Sequence, residues 1–305
     1  MVLYSSMKHV IRSQQFDRNT IESLFTTADS LLKSNKELLK GKIMASLFYE
    51  PSTRTRFSFE SAMLKFGGSV ISTENAKEFS SAAKGETLED SIKVVSQYAD
   101  VIVLRHQEKG ATKRAASASS VPVINAGDGA GQHPTQALLD LYTIKKELGH
   151  VDGVHVALVG DLRNGRTVRS LSYLLGKYEN VLITFVSPKQ LKIGSDIKKY
   201  LDKHNVLWSE EEKLDKVLKK VDVIYQTRVQ KERFKDLKEY EVLKDSYTLT
   251  LKEVDKMKDG AIVMHPLPRV NEIDIEVDNS PKAVYFKQAK NGLLIRMALL
   301  KYLLL

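Results

Sequence analysis

Short apolar runs that alternate with helical patterns are the feature that most restricts how this chain can fold. Each run in the first half is followed by a loop or a helical pattern, as in βαβ units. The runs after residue 149 are continuously apolar, which favours a parallel sheet covered on both faces. The predicted strands are 43–48, 70–72, 101–104, 121–124, 154–159, 181–186, 221–226 and 261–264. The sequence therefore predicts an α/β fold in which helices cover parallel sheets.

Two lobes of similar size are predicted from the length and from a break in this pattern. A chain of 305 residues exceeds the usual length of one domain. The helix that begins near Pro134 is broken at residues 149–153, and the strand pattern restarts there. We therefore expect one lobe from 1–149 and a second from 150–284. A final helix, from about 285–305, is expected to return to the first lobe, with an apolar face at helical spacing that includes Phe286, Leu293, Leu294, Met297, Leu300 and Leu303.

Composition and charge exclude several classes of protein. The chain has no cysteine, which excludes disulfides, thiolate metal sites and cysteine nucleophiles. Its formal charge of +9 is compatible with nucleic-acid binding, but lysines and acids are mixed, as in residues 210–220, which is typical of a solvated face. No apolar run approaches the roughly 18 residues of a membrane span, and no leader pattern is present. We expect a cytoplasmic protein that binds neither nucleic acid nor a membrane.

An anion-binding segment lies where the first predicted strand meets a helix. Residues 48–57 read Phe-Tyr-Glu-Pro-Ser-Thr-Arg-Thr-Arg-Phe, with Ser52 as the capping candidate. Backbone N–H groups and the helix dipole favour an anion at such an end. Three hydroxyls and Arg54 add donors, and arginine binds phosphate in bidentate fashion. The segment indicates a phosphate site; the alternative is a well-capped helix with solvent-facing arginines.

Polar residues also follow the later strands of the first half. Arg105 and His106 come directly after the run 101–104, and His133 stands just before Pro134 at the start of a helix. The positive end of the helix dipole disfavours a protonated imidazole at that position. Our hypothesis is that neutral His133 donates a hydrogen bond and does not shuttle protons.

Three segments of the second half supply cations or backbone acceptors. Residues 159–167 approach the P-loop spacing with Arg166 in place of lysine, but the match is weak, so we reject a nucleotide site. Arg166 and Arg228 each follow a predicted strand and suit a carboxylate. The turn 265–269 contains two prolines, which lack N–H donors and leave backbone carbonyls to accept hydrogen bonds.

Six motifs, taken in order, resemble the catalytic chain of the aspartate carbamoyltransferase family. They are Ser-Thr-Arg-Thr-Arg at 52–56, Arg-His at 105–106, His-Pro-Thr-Gln at 133–136, Gly-Arg-Thr at 165–167, Thr-Arg-Val-Gln-Lys-Glu-Arg at 227–233 and His-Pro-Leu-Pro-Arg at 265–269. The resemblance spans almost the whole chain. It implies transfer of a carbamoyl group from carbamoyl phosphate to L-aspartate in de novo pyrimidine (UMP) biosynthesis, with neither a metal nor an organic cofactor.

The resemblance also implies a role for each matched residue. The phosphate would be held by Ser52, Thr53, Arg54 and Thr55, and the carbamoyl part by Arg105, His133 and Gln136. Aspartate would be held by Lys84, Arg166, Arg228, Gln230 and Pro268, with the backbone carbonyl of Leu267 orienting the amine. The implied catalytic set is Arg54, Thr55, Lys84, Arg105 and His133. Ser80 and Lys84, which alone are typical of a surface loop, would enter from the neighbouring subunit of a homotrimer and bind carbamoyl phosphate as well.

Two positions depart from the family pattern, and two rival functions are disfavoured. Asn164 stands where a tyrosine often precedes Gly-Arg-Thr, and Ala83 replaces a lysine beside Lys84, so cooperativity is not inferred. Ornithine carbamoyltransferases share the fold, but a resemblance to them implies a His-Cys-Leu-Pro motif at the position where this chain has His-Pro-Leu-Pro. A catalytically silent binding protein is disfavoured because the set of cationic residues is complete. Association with regulatory chains is left open.

Overall fold

Two compact units make up the chain in the computed structural model, which describes residues 7–31, 37–75, 85–229, 234, 236–244 and 246–305. Unit 1 comprises the described residues up to Leu138 together with Asn291–Leu305, and unit 2 comprises Leu139–Lys290. Each division point falls inside a helix and not in a loop. Within the described ranges, no helix is both long enough and apolar enough to cross a lipid bilayer.

Unit 1 is built on a parallel sheet with the strand order β2-β1-β3-β4. The strands are β1 (Ile43–Phe48), β2 (Ser69–Glu74), β3 (Val101–His106) and β4 (Val123–Asp128). The helices of this part of the chain are α1 (Arg18–Leu31), α2 (Thr53–Lys65), α3 (Leu88–Val95), α4 (Ala111–Ala118) and α5 (Pro134–Leu148). The three strands β1, β3 and β4 are buried along nearly their whole length, which is why they were recognisable as continuous apolar runs.

Unit 2 is built on a second parallel sheet with the strand order β7-β6-β5-β8-β9. The strands are β5 (His155–Val159), β6 (Leu182–Val186), β7 (Leu207–Glu211), β8 (Val223–Gln226) and β9 (Ile262–Met264). The helices that follow are α6 (Arg166–Leu175), α7 (Ser195–Lys203), α8 (Leu237–Leu243), α9 (Leu251–Asp255) and α10 (Tyr285–Leu304). The predicted α/β class, with parallel sheets, covering helices and a C-terminal helix, is confirmed.

Strand β7, at one edge of its sheet, was missed because its side chains are exposed and form no apolar run. Its sequence, Leu-Trp-Ser-Glu-Glu, has no apolar run, and all five of its side chains are partly or fully exposed. An edge strand needs only one neighbour and little burial, so the pattern typical of buried strands is absent. All eight predicted strands occur: β1 has the predicted bounds, and the ends of the others are shifted by at most four residues.

Local details at the helix ends test the capping and periodicity predictions. Asp17 caps α1, since its Oδ1 accepts the N–H of Thr20 at 2.7 Å. Ser52 occupies the N-cap position of α2, but its hydroxyl makes no hydrogen bond to the helix, so the prediction that this side chain caps α2 is wrong. The predicted apolar face of α10 is wrong at one position, because Phe286 is 58% exposed while the adjacent Tyr285 is buried.

Candidate active site

In unit 1 the polar segments predicted from the sequence follow three adjacent strands. Strands β1, β3 and β4 are neighbours and run parallel, so their carboxyl ends meet at one edge of the sheet. Phe48 pairs with Arg105, and the N–H of Tyr49 donates to the Arg105 carbonyl at 2.9 Å. His106 pairs with Asp128 across β3 and β4. These residues therefore gather at the edge where ligands bind in open α/β sheets.

The segment after β1 forms the amino-terminal turn of α2. The first hydrogen bond of the helix runs from the N–H of Arg56 to the carbonyl of Ser52 at 3.0 Å, so the amides ahead of it point out of the helix end. Thr55 is buried in this turn, whereas Thr53 and Arg54 are exposed. The turn thus presents amide, hydroxyl and guanidinium donors together, which is a suitable set for a phosphate group.

Two further arginines beside this turn are held by carboxylates. Arg105 forms an ion pair with Glu50 at 3.2 Å and donates to the carbonyl of Ala126 at 3.4 Å, and its side chain is only 14% exposed. Arg56 forms an ion pair with Glu74 at 2.9 Å, which ties α2 to the end of β2. Sequence reasoning missed Glu50, although its place directly after β1 was an available signal.

Two buried histidines lie near the carboxyl ends of β3 and β4: His106 is the last residue of β3, and His133 follows β4. The Nδ1 of His106 accepts the N–H of Glu108 at 3.0 Å, and burial lowers the pKa of His106 despite the opposing charge of Glu108. His106 is therefore neutral at pH 7, with its proton on Nε2. His133 is buried at the start of α5, and its carbonyl accepts the N–H groups of Gln136 at 3.1 Å and Ala137 at 3.2 Å. The neutral state of the His133 ring stays a prediction.

In unit 2 the arginine-bearing segments again follow adjacent strands, β5 and β8. Gly160, directly after β5, has φ of +112°, and a Cβ on it would lie 2.2 Å from the carbonyl oxygen of Thr227 after β8. Only glycine permits this backbone conformation and approach. Arg166 is the first residue of α6, Arg228 follows β8, and both side chains are half-buried. The close approach of Gly160 to Thr227 thus brings together the starts of the two segments that carry Arg166 and Arg228.

The turn between β5 and α6 is organised by a buried carboxylate. Asp161 is fully buried, and its Oδ1 accepts the backbone N–H of Asn164 at 3.0 Å. The side-chain amide of Asn164 also donates to this carboxylate, at 3.2 Å to Oδ1 and 3.1 Å to Oδ2. Asn164, noted from the sequence as a departure from the family pattern, therefore fixes the turn that leads into Arg166.

The Pro-Leu-Pro turn after β9 is held from within by a histidine and a glutamate. The N–H of Leu267 donates to Nδ1 of His265 at 2.7 Å, and Nε2 of His265 lies 2.7 Å from Oε1 of Glu272. Burial acts to raise the pKa of Glu272, but hydrogen bonds from His265 and from backbone N–H groups lower it overall. Leu267 has φ of +55°, an unusual conformation for this residue type. Sequence reasoning missed Glu272, which had no strand-end signal.

Several predicted site residues lie outside the described residues. These are Ser80, Lys84 and Gln230; Ala83, a departure from the family pattern, lies outside them as well. Their roles stay predictions. Within the ranges that the structure describes, no group of three or more histidine, aspartate or glutamate side chains could hold a metal ion.

Two family models match the chain. Residues 8–146 match the carbamoyl-phosphate-binding domain of aspartate/ornithine carbamoyltransferases, and residues 152–303 match the aspartate/ornithine-binding domain of the same family. The chain belongs to the aspartate/ornithine carbamoyltransferase family. The resemblance that the sequence motifs indicated is therefore confirmed.

Relatives and solved structures of this family cover nearly the whole chain. Aspartate carbamoyltransferase 1 of Pisum sativum, named as chloroplastic, is 58% identical over 97% of this chain and 78% of its own length. The structure of the aspartate transcarbamoylase catalytic subunit of Methanocaldococcus jannaschii is 51% identical, covers 97% of this chain and 98% of its own, and has a TM-score of 0.90. Trypanosoma cruzi aspartate transcarbamoylase, solved with carbamoyl phosphate and aspartate, is 40% identical with a TM-score of 0.93, covering 98% and 97%.

Proposed function

We propose that this chain is an aspartate carbamoyltransferase that acts in de novo pyrimidine biosynthesis. It transfers the carbamoyl group of carbamoyl phosphate to the amine of L-aspartate and yields N-carbamoyl-L-aspartate and phosphate. Two features carry the proposal. In unit 1 the amino-terminal turn of α2 presents donors suited to a phosphate, and in unit 2 two arginines follow the ends of adjacent strands. In this proposal, residues 1–149 with about 285–305 bind carbamoyl phosphate, and residues 150–284 bind aspartate.

Carbamoyl phosphate is held by unit 1. The amino-terminal turn of α2 binds the phosphate through Ser52, Thr53, Arg54 and Thr55. The carbamoyl oxygen and nitrogen are bound by Arg105, His133 and Gln136. The ion pair with Glu50 and the low exposure of the Arg105 side chain, 14%, support this role, because a guanidinium that is already held in place needs little further ordering when a substrate binds.

Aspartate is held by unit 2. Arg166 and Arg228 bind its two carboxylates, and each can do so in bidentate fashion. Gln230 adds an amide, and the carbonyl of Leu267 accepts a hydrogen bond from the amine, with Pro268 next to it. Two cations suit a dicarboxylate better than the cationic side chain of ornithine, which favours aspartate over ornithine as the acceptor.

The reaction needs no covalent enzyme intermediate. The aspartate amine attacks the carbamoyl carbon, a C–N bond forms, and the C–O bond to phosphate breaks, while one amine proton passes to the departing phosphate. Negative charge develops first on the carbonyl oxygen and then on the phosphate. Donors fixed at those atoms stabilise it, and each contributes about 2.7–4 kcal/mol. A pH–rate profile that does not respond to phosphate ionisation would contradict the proton's destination.

The choice of acceptor tests the proposed function directly. Purified protein is given carbamoyl phosphate with L-aspartate or with L-ornithine at equal concentration, and both carbamoylated products are measured by mass spectrometry. We expect N-carbamoyl-L-aspartate and no citrulline. Citrulline as the main product would overturn the proposal in favour of the ornithine branch of the family. Preincubation with a chelator should leave the rate unchanged, since neither metal nor cofactor is invoked.

The assembly that we propose is a homotrimer in which Ser80 and Lys84 complete the site of a neighbouring subunit. A mixed population of Arg54→Ala and Lys84→Ala chains tests this arrangement after subunit exchange. Recovered activity is expected, because some sites of the hybrid receive both intact residues. Proven hybrids without recovery would refute the shared site. We also propose that the protein is located in the cytoplasm, which cell fractionation would test. Association with regulatory chains is a separate possibility to test, because the Methanocaldococcus jannaschii relative is named as a catalytic subunit.

A further inference from the structure

The backbone of Leu267 is held in place by the ring of His265. The Leu267 N–H is a donor, so Nδ1 of His265, 2.7 Å away, accepts with its lone pair and bears no proton. The ring proton is therefore on Nε2, from which it is donated to Oε1 of Glu272 at 2.7 Å. Both side chains are buried, with His265 2% and Glu272 6% exposed. The carboxylate thus selects the one tautomer that can accept from Leu267.

The second oxygen of Glu272 closes the turn. Oε2 accepts the backbone N–H groups of Val270 and Asn271, each at 3.1 Å. A carboxylate that accepts two amides and one imidazole is held in a single orientation. Glu272 therefore fixes the ring of His265 and the chain that follows the Pro-Leu-Pro turn with one side chain.

A buried polar chain anchors the same histidine from its backbone side. The N–H of His265 donates to Oε1 of Gln288 on α10 at 3.0 Å, and Nε2 of Gln288 donates to Oδ1 of Asp140 on α5 at 2.6 Å. The other oxygen of Asp140 accepts the hydroxyl proton of Tyr225 on β8 at 2.7 Å. Asp140, Gln288 and Tyr225 are all at most 1% exposed. Hydrogen bonds between groups buried away from solvent do not compete with water, so His265 has a fixed position.

We propose that His265 is a positioning residue for the reaction: it holds Leu267 in the conformation that directs its carbonyl toward the amine of the acceptor. The inference rests on the proposed role of the Leu267 carbonyl in binding aspartate. The left-handed conformation of Leu267, with φ of +55°, is unfavourable for a leucine and persists only where its surroundings impose it. The hydrogen bond to Nδ1 is the contact that imposes it. Without that bond, the turn relaxes and the carbonyl changes direction.

Two substitutions of His265 separate positioning from packing. Asn places a side-chain oxygen where Nδ1 lies, so His265→Asn retains an acceptor for the Leu267 N–H. Gln places its terminal atoms where Nε2 lies, so His265→Gln retains the contact with Glu272 and loses the acceptor. Gln is the larger of the two, so a role in packing alone makes His265→Asn the more harmful change.

The experiment measures KM for aspartate, KM for carbamoyl phosphate and kcat in both variants. We expect the aspartate KM of His265→Gln to exceed that of His265→Asn about five- to tenfold, as for loss of one hydrogen bond. The carbamoyl phosphate KM should stay within about twofold of the wild type in both, since that substrate makes no bond to the turn. His155→Asn, which removes a half-buried ring of unit 2 outside this network, is the matched control and should leave the aspartate KM unchanged.

A second readout does not depend on turnover. The ¹⁵N spectrum of the imidazole is expected to show the proton of His265 on Nε2. A proton on Nδ1, an equal aspartate KM in the two variants, or a higher aspartate KM in His265→Asn would each overturn the inference. A wild-type chain that forms no carbamoyl aspartate would instead refute the proposed function, and with it the link from His265 to aspartate, whatever tautomer the spectrum shows.

Discussion

Replacing Arg54 by alanine should abolish most of the turnover and leave the fold intact. Arg54 lies in the first turn of α2, where its exposed side chain adds a cation to the positive end of the helix. One preorganised donor to a developing negative charge is worth about 2.7–4 kcal/mol in the transition state, which corresponds to a loss in kcat of about a hundred- to a thousandfold. The buried Thr55 and the helix amides remain, so substrate affinity should fall only modestly.

Steady-state kinetics over a grid of both substrate concentrations separate these two effects. The fold is checked by thermal unfolding, where an exposed helical arginine replaced by alanine should change stability by no more than about 0.5 kcal/mol. Lys65→Ala is the matched control, because it removes an exposed cation from the last turn of the same helix, about 16 Å along its axis at 1.5 Å per residue. This control should retain wild-type turnover.

The reasoning would be refuted by an Arg54→Ala enzyme with turnover within about threefold of the wild type, since no donor of the expected strength would then have been removed. A comparable loss in Lys65→Ala would also refute it, because the effect would then be a general response to lost charge on α2. A large rise in the carbamoyl phosphate KM at unchanged kcat would show that Arg54 binds the ground state as strongly as the transition state.

Three further changes test unit 2. Arg228→Ala should raise the aspartate KM about tenfold to a hundredfold, because hydrogen bonds from a charged group are lost. An unchanged KM would show that Arg228 does not bind aspartate. Gly160→Ala should destabilise the protein by about 2–4 kcal/mol in urea unfolding, because its Cβ would lie 2.2 Å from the Thr227 carbonyl oxygen; an unaltered midpoint would contradict the strain. The pKa of Glu272 is lowered in the fold. Its charged form therefore stabilises the protein at pH values above 4.5, the ordinary pKa of glutamate, and this stabilisation is lost as the pH falls through the folded pKa. Glu272→Gln should therefore be less stable than the wild type at pH 7, and the gap should narrow below pH 4.5; a gap that widens in acid would refute this sign.

Much of the site was readable because it sits where buried strands end. The runs before Ser52, Arg105 and Arg228 are predominantly apolar, so the polar residues that follow them mark the ligand-binding edge of each sheet. Edge strand β7 gave no such signal, because burial on both faces is what produces an apolar run. The capping role of Ser52 and the inward face of α10 at Phe286 were wrong, since capping and helix rotation depend on tertiary neighbours.

What the sequence by itself determined was the α/β class, the strand ends that hold the candidate site and, through the order of six motifs, the carbamoyltransferase family. Only the tertiary structure decided the pairing of Arg105 with Glu50 and the chain that runs from Asp140 through Gln288 to His265. The physical reason is distance along the chain: Asp140 and Gln288 are 148 positions apart. No local period or spacing encodes such a contact; it exists only after the two helices have packed.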